Sequence, residues 1–401
     1  MTAADQLATT GFGSTHLPYG SYSTATSGPR LGVRLGDHVL NAAALLRHTD
    51  ASPADLAAVD TGNLDVLLTR DRATWDRVRT WIAHAVEDPD ATESIVAEAV
   101  PLTDCTLHLP FTVADYVDFY GNEFHASNVG RIFRPGQPPL TPNWKHLPIG
   151  YHGRAGTIVP SGTDIPRPKG LRPEPDGTPT FGPSRRLDIE VEVGFVLGSP
   201  VPQGQIALGA AADHIFGLVL TNDWSARDIQ AFEYVPLGPF LGKSFATSIA
   251  AWVTPLPCLD HARVAPPPRE VPLAAYLDDS TSPPWAFDFT IDVVLNGETV
   301  STAPYATTYW TAAQMLSHLT VNGATLRAGD FFASGTISGP ARHQRGSFLE
   351  ISWGGTDPLP LTDGTEITFL RDGDEVTLRA TAPGPSGTTL TFGECTGRIL
   401  P

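Results

Sequence analysis

The sequence predicts a mainly β protein of the α+β class, on three observations. After residue 180 the chain falls into short apolar runs, FTIDVVLNG, GDFFASGTISG, SFLEISWGG and GTEITFLRDGDEVTLRATA, divided by Gly and Asp turns. Glycine (38) and proline (37) are spread along the whole chain, which favours turns and strands over long helices. The longest stretch with helical periodicity is residues 52–87. There Trp75, Val78, Ile82 and Val86 recur at three- and four-residue steps, up to the stop at Asp88-Pro89.

Taken in order, RLGVRLGDHVLNA reads as two short strands about an LGD turn, followed by the helical segment. The Pro-bounded PLTDCTLHLPF (101–111) suggests a domain boundary near 110, dividing the chain into 1–110 and 111–401. ADYVDFYGNEFHASNVG (114–130) reads as helical, with Asp118 and His125 two turns apart on one face. In LDIEVEVGFVL (187–197), Asp188, Glu190 and Glu192 alternate with Ile189, Val191 and Val193, the pattern of a strand with one acidic and one apolar face. In TNDWSARDIQAFEYVPLGPF, Asp223, Arg227, Gln230 and Tyr234 form one stripe of a short helix that ends at Pro236 and Gly238. Lys243 lies in a Gly-bounded loop, GPFLGKSFATS. ASGTISG (333–339) is either a plain turn or an anion cradle. SFLEISW reads as an alternating strand with Glu350 on one face. The C-terminal part as a whole suggests a β-roll or sandwich.

Composition narrows the function. Hydrophobic residues make up 41% and charged residues 17% of the 401, enough for a substantial core. A net charge of −17 argues against a nucleic-acid backbone or an anionic membrane as partner. There is no 18-residue apolar run, and the N-terminus lacks a signal-peptide pattern. Cys105, Cys258 and Cys395 are scattered and odd in number, which fits a reducing cytoplasm. Walker, G-x-G-x-x-G and G-x-S-x-G motifs do not occur. Lysine is rare, with three residues, so Lys243 is not routine surface decoration.

The acidic alternation admits two readings. A solvated sheet face is one. However, carboxylates two residues apart repel by about 2 kcal/mol per pair at an effective dielectric near 20. The other reading is an oxygen-rich site for a hard divalent cation over Glu190 and Glu192.

Taken together, DFYGNEFHASNVGRIFRPG, PNWKHLPIGYHGRAGTIVPSGT, DIEVEVGFV, IFGLVLTNDWSARDIQAFEYVPLGPFLGKSFATSI, LRAGDFFASGTISG and GSFLEISWGGT resemble the fumarylacetoacetate hydrolase family. LPYGSYST near the start and ECTGRILP at the end extend the resemblance over almost the whole chain. The resemblance implies a small N-terminal SH3-like barrel with added helices, a C-terminal mixed β-roll and a homodimer. It implies hydrolysis of a carbon–carbon bond in a β-diketo acid, giving fumarate and acetoacetate at the end of tyrosine breakdown. Asp118, Glu190, Glu192 and Asp223 would hold a divalent cation, Mg2+ or Ca2+, with Mn2+ also suited. His125, oriented by Glu350, would be the base; Arg227, Gln230 and Lys243 would stabilise developing negative charge. Tyr120, Arg134, Gln230, Tyr234 and Thr336 would bind substrate. Lys243 and Thr247 would flank a second, peripheral metal. Competing readings are a superfamily hydrolase of the acylpyruvate type, a related decarboxylase or isomerase, and a metal-dependent binding protein without activity. PARHQR (340–345) departs from the family pattern and leaves the behaviour of a lid open.

Overall fold

The computed structural model describes residues 1–9 and 11–401. It is a mixed α+β structure dominated by a 13-stranded sheet. From one edge the sheet runs through Val100–Pro101, His38–Asn41, Ser27–Leu35, Tyr19–Thr24, Trp252–Pro255, Ile215–Asp223, Val191–Leu197, Asp330–Ala333, Asp115–Phe119 and Gly150–His152. A six-stranded sheet built on Glu375–Pro383, Thr290–Leu295 and Cys395–Leu400 adds the C-terminal layer.

The N-terminal strands join the large sheet where Tyr19 pairs with Val253 and Gly20 with Trp252. The Arg72–Glu87 helix covers this junction. Its Trp75, Val78, Ile82 and Val86 are all buried, as the periodicity predicts, and Trp75 meets Phe216 edge-on at 5.2 Å. Nearby, His16 is fully buried. Its Nδ1–H donates to the Gly11 carbonyl at 3.0 Å, so its Nε2 must accept from the Thr254 hydroxyl, also at 3.0 Å.

The middle of the sheet positions the site. Val191–Leu197 runs antiparallel to both Ile215–Asp223 and Asp330–Ala333, and the last is parallel to Asp115–Phe119. Every residue of Val191–Leu197 and Ile215–Asp223 is buried, so these strands are covered on both faces. Gly194 permits the close packing: a Cβ there would lie 2.1 Å from the Phe331 ring.

Three local expectations are corrected. Residues 187–197 are not one strand, because Leu187–Asp188 pairs with Ser225–Ala226 and pairing resumes only at Val191. Asp118 and His125 do not share a helix; Asp118 lies on the Asp115–Phe119 strand and His125 on the Glu123–Phe133 helix, which Asn122 caps through the His125 N–H. Of the supposed helical stripe, only Arg227 and Gln230 lie within the Arg227–Glu233 helix, while Asp223 ends a strand and Tyr234 is the C-cap. Among the described residues, no helix is long and apolar enough to cross a membrane.

Candidate active site

Three strands, and the break that precedes one of them, bring the acids together: Asp118, Glu192 and Asp223 lie on strands, and Glu190 lies in the break before Val191. Asp118 is opposite Ala333, which in turn is opposite Gly194, two residues beyond Glu192. Asp223 closes the neighbouring strand, and its N–H donates to the Glu190 carbonyl at 3.2 Å. One carboxylate oxygen from each of Asp118, Glu190, Glu192 and Asp223 lies within 4.8 Å of the others, and all four residues are buried. The solvated-face reading of the alternation therefore fails.

Two buried cations meet this cluster. Lys243 Nζ donates to Glu190 and, at 2.7 Å, to Asp223 Oδ2, while the Thr247 hydroxyl donates to Asp223 Oδ1 at 2.7 Å. Arg227 Nη1 donates to Glu190 Oε1 at 2.7 Å and to Gln230 Oε1 at 3.1 Å; its Nε donates to Asp188 Oδ2 at 2.8 Å. Burial alone would raise Glu190, but Lys243, Arg227 and His125 outweigh it and hold the group below the usual carboxylate range. Burial drives Glu192 and Asp118 well above that range, and the neighbouring carboxylates add to it. Asp223 is also raised, because burial exceeds the pull of Lys243. Lys243 itself is raised: burial opposes its charge, but Asp223, Glu190 and Asp118 overcome that.

The donor set fits a divalent cation on an independent observation. Both oxygens of Glu192 and Oδ1 of Asp118 are buried without a hydrogen-bond partner among the described residues. A buried polar atom without a partner is costly, and an all-oxygen ligand set suits a hard cation. With Arg227 and Asp188 taken as a neutral pair, four carboxylates against one ammonium leave −3; a 2+ ion brings this to −1.

His125 faces the cluster from the side. Its Nε2 is 4.0 Å from Glu190 Oε1, and its Nδ1 is 2.6 Å from Glu350 Oε2. Glu350 is not on an exposed strand, as the alternation of SFLEISW suggested, but on a short Phe348–Ile351 helix and is fully buried. Asn128 Nδ2 donates to its Oε1, and the Ser338 and Ser347 hydroxyls donate to its Oε2, each at 2.9 Å. Burial would raise Glu350, yet His125 and these donors hold it below the ordinary value. An acceptor fixed this way keeps the proton on Nδ1 and leaves the Nε2 lone pair facing the cavity.

The cavity is about 400 Å3, within the usual range for small-molecule sites. Asp118, Tyr120, His125, Arg134, Glu190, Arg227, Gln230, Tyr234, Lys243 and Thr336 all line it. Glu192 and Glu350 sit behind these walls; Asp223 and Thr247 border an adjoining chamber of about 170 Å3 that shares Lys243. Thr336 Oγ1 and Arg227 Nη2 are buried without partners among the described residues, which leaves polar groups on the wall for a bound molecule. Residues 340–345 do not line the cavity. Arg342 and Arg345 pin this segment to the Ile351 and Glu350 carbonyls at 2.9 and 2.7 Å.

Sequence reasoning missed Asn128, Ser338 and Ser347. Signals existed for two of them: Asn128 is one helical turn after His125, and S-F-L-E is a capping-box pattern. The Ser347 hydroxyl indeed accepts from the Glu350 N–H. Nothing in the local pattern marked Ser338.

Two family models match the chain, "Fumarylacetoacetase N-terminal" over residues 15–110 and "Fumarylacetoacetate (FAA) hydrolase C-terminal" over residues 116–399. Fumarylacetoacetase of Homo sapiens is 41% identical over 406 residues, which cover 96% of this chain and 95% of that protein. Fumarylacetoacetase of Caenorhabditis elegans is 41% identical over 408 residues, with 96% of each covered. Among solved structures, a fumarylacetoacetate hydrolase from Exiguobacterium antarcticum aligns with a TM-score of 0.54 at 15% identity, covering 96% of this chain and 99% of that one, a likeness of fold alone. By full-length identity and by both family models, the chain is a hydrolase that belongs to the fumarylacetoacetate hydrolase family.

Proposed function

We propose that this protein hydrolyses the carbon–carbon bond of 4-fumarylacetoacetate, releasing fumarate and acetoacetate in the last step of tyrosine and phenylalanine catabolism. The observation that carries the reading is His125, with Nδ1 held by Glu350 and Nε2 turned toward the acid cluster across a substrate-sized cavity. Binding alone needs no such base.

Asp118, Glu190, Glu192 and Asp223 would hold a divalent cation, Mg2+, Ca2+ or Mn2+, which when bound supplies Lewis acidity and orients the diketo oxygens. His125 Nε2 takes the proton of the attacking water, and Glu350 stabilises the imidazolium that results. The water oxygen bonds to the fumaryl-side carbonyl carbon, and the carbon–carbon bond breaks with its electron pair left on the acetoacetate fragment as an enolate. Return of the proton from the His125 imidazolium gives acetoacetate and restores the base. Lys243, Arg227 and Gln230 line the wall where the enolate charge develops, and preorganised donors of this kind contribute about 3 kcal/mol each. Arg134 suits the fumaryl carboxylate through its planar fork, while Tyr120, Tyr234 and Thr336 shape the remaining wall.

Finer expectations belong to the same reading. Residues 1–110 would form the small SH3-like barrel and residues 111–401 the catalytic domain, in a cytoplasmic homodimer. A second, peripheral ion near Lys243 and Thr247 would need the Thr247 hydroxyl and main-chain oxygens, because an ammonium cannot be a ligand. The runner-up, an acylpyruvate-type hydrolase, is disfavoured by the N-terminal family match over residues 15–110. A spectrophotometric assay with fumarylacetoacetate and with acetylpyruvate, each with and without chelator, tests the proposal. Faster turnover of acetylpyruvate would overturn the substrate, and full activity in chelator would overturn the metal.

A further inference from the structure

Asp188 is the first of the three alternating acids, and the chemistry above does not use it. It is not part of the acid cluster. Its carboxylate is fully buried and accepts four hydrogen bonds. Oδ1 accepts from the Ile189 N–H at 2.8 Å and the Phe348 N–H at 2.6 Å; Oδ2 accepts from the Leu349 N–H at 2.9 Å and Arg227 Nε at 2.8 Å. Phe348 and Leu349 open the short helix that carries Glu350. Arg227 is the cavity-lining cation whose Nη1 reaches Glu190 and Gln230. One carboxylate therefore ties the charge-stabilising wall of the cavity to the helix that orients the base.

We propose that Asp188 is a positioning residue that holds Arg227 and the His125–Glu350 pair in mutual register. The proposal rests on the functional reading above. Four donors converge on two oxygens, a demand that an ionised carboxylate meets and a carboxamide does not, since its NH2 would confront donors on one side. The break in the strand at Ile189 and Glu190 fits this role. It lets Leu187–Asp188 pair with Ser225–Ala226, immediately before Arg227, while Val191 onward pairs with the strand that ends at Asp223.

The test combines kinetics with proton NMR on the purified full chain. In Asp188→Asn, kcat for fumarylacetoacetate should fall about 10- to 100-fold, as for other outer partners of catalytic groups, with KM changed much less. Combined with Arg227→Gln or Glu350→Gln, it should add little to the loss from either alone. In the spectrum, Asp188→Asn should shift both the Arg227 Nε proton and the downfield His125 Nδ1 proton. This readout does not depend on which substrate is turned over, so an inactive wild type would refute the functional reading and leave the positioning claim to the spectrum. Asp188→Glu, which keeps the anion but displaces it, is the second variant should Asp188→Asn fail to fold, and should shift both signals. Unchanged signals, movement of the Arg227 signal alone, or a lower melting temperature with kcat within twofold of wild type would make Asp188 a purely structural residue.

Discussion

His125 and Glu350 lie 225 residues apart in the chain, yet share a 2.6 Å hydrogen bond in a setting with almost no solvent access. Their joint action can be measured. His125→Ala should lower turnover about 10²- to 10⁴-fold, and Glu350→Gln by less. The double variant should be barely slower than His125→Ala, because the two act as a unit. Losses that multiply in steady-state kinetics would separate them.

On the proposed role of Lys243 in stabilising the enolate, Lys243→Met should reduce kcat far more than it changes KM, by about 10²- to 10³-fold. The same change leaves Glu190 and Asp223 without their shared ammonium, so the melting temperature should fall as well. An effect confined to KM would make Lys243 a ground-state binder.

Glu192 gives a prediction that changes sign with metal. Its buried carboxylate has no protein partner among the described residues, and burial raises it well above its usual range. Glu192→Gln should melt higher than wild type in chelator and lower in saturating divalent cation, with metal affinity by calorimetry reduced about 10- to 100-fold. The folded chelated protein holds this proton more tightly than the unfolded chain, so this group favours folding more as pH drops toward the unfolded value.

His16 acts in the opposite direction. Burial lowers it from 6.5 to about 3, so the unfolded chain binds its proton first as pH falls. Its contribution is complete above the unfolded value and is lost below it, amounting to about 2 kcal/mol between pH 7.5 and pH 5. Denaturant titrations should show a shallower acid limb for His16→Gln than for wild type. Parallel limbs would remove His16 from the account.

Much of the site was legible as chemistry and less of it as geometry. Asp118, Glu190, Glu192 and Asp223 do converge, and the Arg72–Glu87 helix buries the face its periodicity marks. What failed was spacing taken as shape. Seven residues separate Asp118 from His125, but between them the strand ends at Phe119, the chain turns through Gly121, and Asn122 caps a helix. A Cβ on Gly121 would meet Met315 at 2.3 Å, a tertiary contact that no local pattern reveals. Likewise, LDIEVEVGF alternates perfectly, yet the chain changes partners in the middle of it. Alternation reports which way side chains point, not which strand lies alongside.

The strand order also dictates when the site can come into being during synthesis. The quartet forms only after Asp330–Ala333 has inserted between Asp115–Phe119 and Val191–Leu197, and Glu350 follows later still. Val191–Leu197 can pair with Ile215–Asp223 soon after both emerge, but at about 5–20 residues per second its other edge waits on the order of 10 s for Asp330–Ala333. The four-carboxylate cluster is therefore assembled late in synthesis, and until then the edge of Val191–Leu197 that receives Asp330–Ala333 is open to mispairing.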